Sequence, residues 1–193
     1  MEIRLVKNKS ILIKGKKESV VIDPTSDIFK ELNSSVRIIA YSHDGSDHWQ
    51  SESEGRVILT GPGEYEVGGV EIRGYSSTDG LTIYIVVMDG TTVGFVGGVK
   101  EMLTDKKIER IGGIDVLIYS MGKNNSLVAK DVVSLAKKMG ANYLVPVDFE
   151  IKSDEYKKFM DETDSEGMEA VEVLKVDKDS LPDGLEVVSI WTK

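Results

Sequence analysis

The sequence predicts a layered α+β domain. Its first half is a succession of short β-rich runs separated by turn-prone pairs. Its second half alternates apolar runs with segments of helical period, and no shift of composition marks a linker. Strands joined by tight turns and then a strand–helix–strand unit pack as sheets with helices on their faces. At 193 residues the chain is long enough for a sizeable core, and a single domain over 1–193 is expected.

In chain order, Glu2 to Lys7, Ser10 to Lys14 and Ser19 to Ile22 read as strands, separated by Asn8-Lys9 and Gly15-Lys16. Asp23-Pro24 ends the third run, and Ser26 or Asp27 can cap a short helix through Leu32. Val36 to Tyr41 has the apolar character of a buried strand, and Val57 to Leu59 is a short strand followed by Gly61-Pro62-Gly63. Tyr65 to Val67, Val70 to Tyr75, Thr82 to Met88 and Thr92 to Val96 follow as strands, with Asp89-Gly90 predicting a two-residue hairpin. Turns this tight imply antiparallel pairing through the first half.

Beyond residue 100 the period changes. Thr104 to Ile111 reads as a helix, capped by Thr104 and stopped by Gly112-Gly113. Asp115 to Tyr119 is an apolar strand. Ser126 to Met139 is the clearest helix, because Val128, Val132, Leu135, Ala136 and Met139 recur at the helical spacing before Gly140. Asn142 to Val147 closes a βαβ unit, whose strands are parallel by default. Asp154 to Met160 reads as a helix. Glu169 to Lys175 and Leu185 to Trp191 read as strands, linked through Leu181-Pro182-Asp183-Gly184.

Composition excludes several functions. There is no cysteine, so disulfides, thiolate metal sites and cysteine nucleophiles are ruled out. The net charge of −9, concentrated in Asp154 through Glu172, repels phosphate backbones, so no nucleic-acid partner is expected. No apolar run reaches the ~20 residues of a membrane span, and the opening residues lack a secretory pattern. No membrane partner is expected, and the cytoplasm is the expected location.

The densest chemistry lies in Ser42-His43-Asp44-Gly45-Ser46-Asp47-His48-Trp49, directly after the Val36 to Tyr41 run. It holds both histidines of the chain. Imidazoles and carboxylates gathered at a strand end are what a zinc, manganese or iron site requires. The cluster is incomplete, because Gly45 stands where another ligand could be.

This strand-then-loop segment resembles the metallo-β-lactamase superfamily signature, Thr/Ser-His-x-His-x-Asp-His. His43, Asp47 and His48 match ligand-type positions, and Gly45 replaces the second histidine. Leu59-Thr60-Gly61-Pro62-Gly63-Glu64-Tyr65-Glu66-Val67 is similar to a segment of one branch, small hydrolase-like proteins related to ascorbate-6-phosphate lactonases. The strand pair around Asp89-Gly90, Ile114 to Ile118 and Tyr143 to Val147 continue the likeness to about residue 150. The resemblance implies an αββα sandwich of two mixed sheets flanked by helices.

It also implies a two-metal centre, and here the chain departs. The family's bridging aspartate falls on Gly98, within Phe95-Val96-Gly97-Gly98-Val99-Lys100. The histidine expected near Gly74 to Asp79 is missing, and Asp148 stands in place of the final histidine. Asp47, His48 and Asp148 could still hold one metal, biased towards harder ions by its two carboxylates. His43, Asp47, His48 and Asp148 are therefore the candidate metal residues, as a weak or vestigial set.

Each has a structural reading beside the functional one. Asp47 can cap a following helix, the histidines can bond the loop backbone, and Asp148 can be a solvated strand end. Gly61-Pro62-Gly63-Glu64 reads as a turn, and Lys123-Asn124-Asn125 as a polar loop before a helix. The expectation is a degenerate family member, non-catalytic or strongly impaired, acting as a binding or structural protein that self-associates. No tightly held cofactor is expected. The runner-up is a mononuclear hydrolase of a small phosphorylated or ester-like substrate, with one zinc or manganese ion bound weakly. A sensor for an unidentified small molecule is a third reading.

Overall fold

The computed structural model describes residues 1–7, 10–31, 36–43, 55–121, 127–149, 153–165 and 170–192. The strands in chain order are β1 (Glu2–Val6), β2 (Ser10–Lys14), β3 (Ser19–Ile22), β4 (Ile38–Ala40), β5 (Val57–Leu59), β6 (Gly63–Val67), β7 (Val70–Ser76), β8 (Thr82–Met88), β9 (Thr91–Gly97), β10 (Val116–Ser120), β11 (Tyr143–Val147), β12 (Leu174–Lys175) and β13 (Glu186–Val187). The helices are α1 (Ser26–Glu31), α2 (Asp105–Ile111), α3 (Ala129–Lys138) and α4 (Asp154–Glu162).

The strands form two mixed sheets, ordered β12-β1-β2-β3-β4-β5 and β13-β11-β10-β9-β8-β7-β6. Period-two alternation sorts each strand's side chains between two cores. Tyr84, Val86 and Met88 of β8, Val116 and Ile118 of β10, and Ile38 and Ala40 of β4 fill the space between the sheets. Ile83 and Ile85, Leu117 and Tyr119 face the other way, onto buried residues of α2, α3 and α4. On the outer face of the first sheet, Ile39 and Tyr41 pack with Phe29 of α1. The layers are thus helix, sheet, sheet, helix, as the resemblance implied.

Two hairpins show how local sequence sets the register. Asp89 and Gly90 take φ of 52° and 79°, the pair of left-handed residues that a two-residue turn needs to match strand twist. They bring Met88 opposite Thr91. The β2–β3 turn packs against this hairpin: a Cβ at Gly15 would lie 2.3 Å from Met88 Sδ, and the Lys16 amide donates to Asp89 Oδ2 at 2.8 Å.

The βαβ unit forms as its periodicity predicts. β10 and β11 run parallel, and α3 buries Val132, Leu135 and Ala136. Cutting Leu135 back to alanine would cost about 2–5 kcal/mol, since nothing fills the space. Gly140, with φ 72°, follows the last turn.

Several expectations need correction. β3, β4 and β5 pair in parallel, not antiparallel; between β3 and β4 the α1 segment carries the chain back. β4 is shorter than Val36 to Tyr41. Helix α3 begins at Ala129 after Val128, which offers no side-chain cap. Ser126, the expected start of this helix, lies outside the described residues, as do Leu32, Trp49, Lys123-Asn124-Asn125 and Glu169. The two closing strands are only two residues each, β12 antiparallel to β1 and β13 parallel to β11, with a bridge from Val171 to Ile190. A short 3-10 turn, Lys178–Ser180, lies between them. Among the described residues, no helix is long and apolar enough to cross a membrane.

Candidate functional site

The carboxyl ends of β3, β4, β9, β10 and β11 meet at one end of the sandwich. Asp23, just past β3, organises this end. Its backbone is left-handed, at φ 51°, and its amide donates to the Ala40 carbonyl at 2.8 Å. That conformation turns the carboxylate towards the chain leaving β4. Oδ1 accepts from the Ser42 amide at 2.7 Å and Oδ2 from the Ser42 hydroxyl at 2.6 Å. His43 Nδ1 lies 3.5 Å from Asp23 Oδ1, with the imidazole 55% exposed and the carboxylate 16%.

Ser42 joins the two sheets. Its carbonyl accepts from the Thr82 amide at 2.6 Å, where β8 begins, and its hydroxyl oxygen lies 3.8 Å from where a Cβ on Gly97 would stand. Tyr84 makes a second tie. Its buried hydroxyl accepts from the Gly61 amide at 3.0 Å and donates to the Tyr41 carbonyl at 3.1 Å, linking β8 to the exits of β4 and β5. Burial pushes the Tyr84 phenol up to about 12, because charge there would lose its hydration.

His43 and Asp148 both stand at strand exits, of β4 and β11. Asp148 is exposed with φ 59°, and its Oδ2 accepts from the Ser120 hydroxyl at 3.2 Å. Asp47 and His48 lie outside the described residues. Gly97 closes β9 beside Tyr119 of β10, and Gly98, the position that resembles the family's bridging aspartate, follows it and offers no side-chain donor. In the segment expected to carry the mid-chain histidine, Asp79 Oδ2 accepts from the Lys100 amide at 2.8 Å, tying the β7–β8 turn to the loop after β9.

Asp23 and Asp79 were missed as site residues. Asp23-Pro24 reads as a strand terminator, and nothing in its own neighbourhood of sequence points to Ser42.

The donor set can be tested against a metal. An imidazole that binds metal through one nitrogen commonly offers the other to a carboxylate, and His43 beside Asp23 has that arrangement. A catalytic zinc site also needs three protein ligands. Among the described residues, no three histidine or carboxylate side chains gather closely enough to hold an ion. His43 and Asp148 alone do not fit a dinuclear centre.

Two mixed sheets face to face, helices outside and polar residues gathered at strand exits define an αββα sandwich. A family model, the beta-lactamase superfamily domain, matches residues 2–148, and the chain belongs to this metallo-β-lactamase superfamily. The fold is similar to that of a Thermotoga maritima member of the superfamily, at 23% identity over 98% of each chain and a TM-score of 0.78. It is also similar to the metallo-beta-lactamase fold protein YhfI from Bacillus subtilis, at 12% identity over 97% of this chain and 95% of that one, with a TM-score of 0.61. Igni18, a metallo hydrolase from Ignicoccus hospitalis, shares 14% identity over 91% of this chain and 99% of its own, with a TM-score of 0.60. No curated protein matches the sequence.

Proposed function

We propose that this chain is a degenerate metallo-β-lactamase-fold protein that acts by binding or as a structural component, with hydrolysis lost or strongly impaired. The observation that carries this reading is Gly98, directly after β9, where the family resemblance calls for a bridging carboxylate. The chain's two histidines, five residues apart in sequence, cannot supply the remaining imidazoles of a two-metal centre. Activation of water by a metal needs an ion held by a complete shell. Asp23, which such a site could have used, is already engaged with Ser42.

Elemental analysis after zinc or manganese loading tests the proposal. No tightly held equivalent is expected, and two would refute the proposal. Self-association belongs to the same reading, and light scattering showing only monomer removes that part.

One observation favours a second reading. The Asp23 carboxylate beside His43 Nδ1 is the support that a ligand imidazole uses. A mononuclear hydrolase of the lactonase-like kind, acting on a small phosphorylated or ester-like substrate, would use it. One equivalent of metal, lost in His48→Ala, would favour this alternative.

A further inference from the structure

Against a net charge of −9, α2 presents Lys106, Lys107 and Arg110 to a groove of about 400 Å³ between the helix and β7. Tyr75, Ser76 and Thr104 line the groove with them, and no carboxylate does. Like charges one turn apart, such as Lys106 and Arg110, disfavour a helix. A surface built only for stability would set an acid between them. Instead Asp105 is turned to α3, where its Oδ1 accepts from Lys138 Nζ at 2.7 Å. Glu109 does not reach the groove.

The contacts that hold two of these cations are neutral. The Lys107 ammonium donates to the Ser76 carbonyl. The Arg110 guanidinium lies over the Tyr75 ring, 5.8 Å from its centroid, while the Tyr75 hydroxyl donates to the Arg110 carbonyl at 3.4 Å. A ring face and a carbonyl fix a cation in place without cancelling its charge. Ser76 and Thr104 line the groove beside them, and the Thr104 hydroxyl caps the helix by accepting from the Lys107 amide at 3.3 Å.

We propose that this groove binds a small phosphorylated ligand, with a diphosphate or similar polyanion meeting Lys106, Lys107 and Arg110. The arginine fork suits paired phosphate oxygens, and the lysines act as point charges. The volume suits a small molecule. Ser76 pairs with Thr82, whose amide donates to the Ser42 carbonyl, so the groove adjoins the strand-exit site. It uses none of that site's candidate metal residues, and so goes beyond the function proposed above.

The test is calorimetric titration of inorganic pyrophosphate into the full chain with EDTA present. Saturable binding to one site is expected, weakening as salt is raised from about 50 to about 300 mM. Arg110→Ala should weaken it roughly tenfold or more, the loss of a charge-assisted contact. Lys106→Ala with Arg110→Ala should abolish it, while Lys157→Ala with Lys158→Ala on α4 leaves it unchanged. Should the first pair fail to fold, protection of Lys106 and Lys107 from acetylation by pyrophosphate in the unaltered protein gives the same answer. No saturable binding at low salt, or equal weakening by the α4 pair, overturns the proposal. Because EDTA removes metal from the assay, failure here leaves the metal-stoichiometry result to judge the proposed function separately.

Discussion

Removing the Asp23 carboxylate should unfasten the candidate site and lower stability by a predictable amount. In Asp23→Ala the Ser42 amide and hydroxyl lose a charged acceptor at 2.7 and 2.6 Å. Hydrogen bonds to charged groups contribute about 1.5–3 kcal/mol each, and the 16% exposure of the carboxylate argues for the lower end. Alanine at φ 51° adds about 1 kcal/mol of backbone strain that aspartate tolerates better. The expected loss is about 4 kcal/mol, or a fall in Tm of roughly 8–16 °C for a chain of this size. Ser42→Ala removes only the hydroxyl leg and should cost about 1–1.5 kcal/mol. Asp23→Gly loses the same bonds without the alanine strain, so it should be no worse than Asp23→Ala. Urea unfolding measures all three. If Asp23→Ala lies within about 0.5 kcal/mol of the unaltered protein, or Ser42→Ala costs as much, Asp23 does not hold this end together.

Tyr84→Phe should cost about 1–3 kcal/mol by stranding the Gly61 amide and the Tyr41 carbonyl, read by urea unfolding. Tyr84 and Tyr119 are both pushed up to about 12, so the stability they contribute is full below pH 10 and is lost as pH rises through 12. An alkaline absorbance titration should show a late tyrosinate component that shrinks in Tyr84→Phe; normal titration of both residues would contradict their burial. Asp115 is buried, with Oδ1 accepting from Lys178 Nζ at 2.6 Å and Oδ2 from the Thr92 amide at 2.8 Å. Asp115→Ala should cost about 3 kcal/mol and Lys178→Ala about 1 kcal/mol, since the lysine is half exposed and leaves a carboxylate still bonded to Thr92. Equal costs in denaturant melts would refute that asymmetry. Melts with EDTA, zinc or manganese from mildly acidic to mildly basic pH should coincide. Metal held by histidine strengthens as pH rises, so a metal-dependent gain growing with pH and absent in Asp47→Ala would move the assignment to the hydrolase.

Much of the fold is legible because secondary structure depends on near neighbours. The apolar run at Val116 to Tyr119, the Asp89-Gly90 turn and the spacing of Val132, Leu135 and Ala136 all act within a few residues, and the strand, hairpin and helix they predict all form. The departures from the family signature are legible too, because Gly45, Gly98 and the count of two histidines are facts of composition at named positions. Strand partners are not legible in the same way. β3 and β4 pair in parallel because α1 returns the chain between them, and β12 and β13 are edge strands whose partners, β1 and β11, lie far away in sequence. The same holds for the sites. Lys106, Lys107 and Arg110 read alone as a solvated helix face, and only the placement of Tyr75 and Ser76 across from them makes a groove. Asp23 reads as a turn residue until folding brings Ser42, 19 residues away, onto its carboxylate. Period and turn chemistry are local and survive in the sequence, whereas a hydrogen bond or charge cluster between distant segments exists only once the sheets have packed.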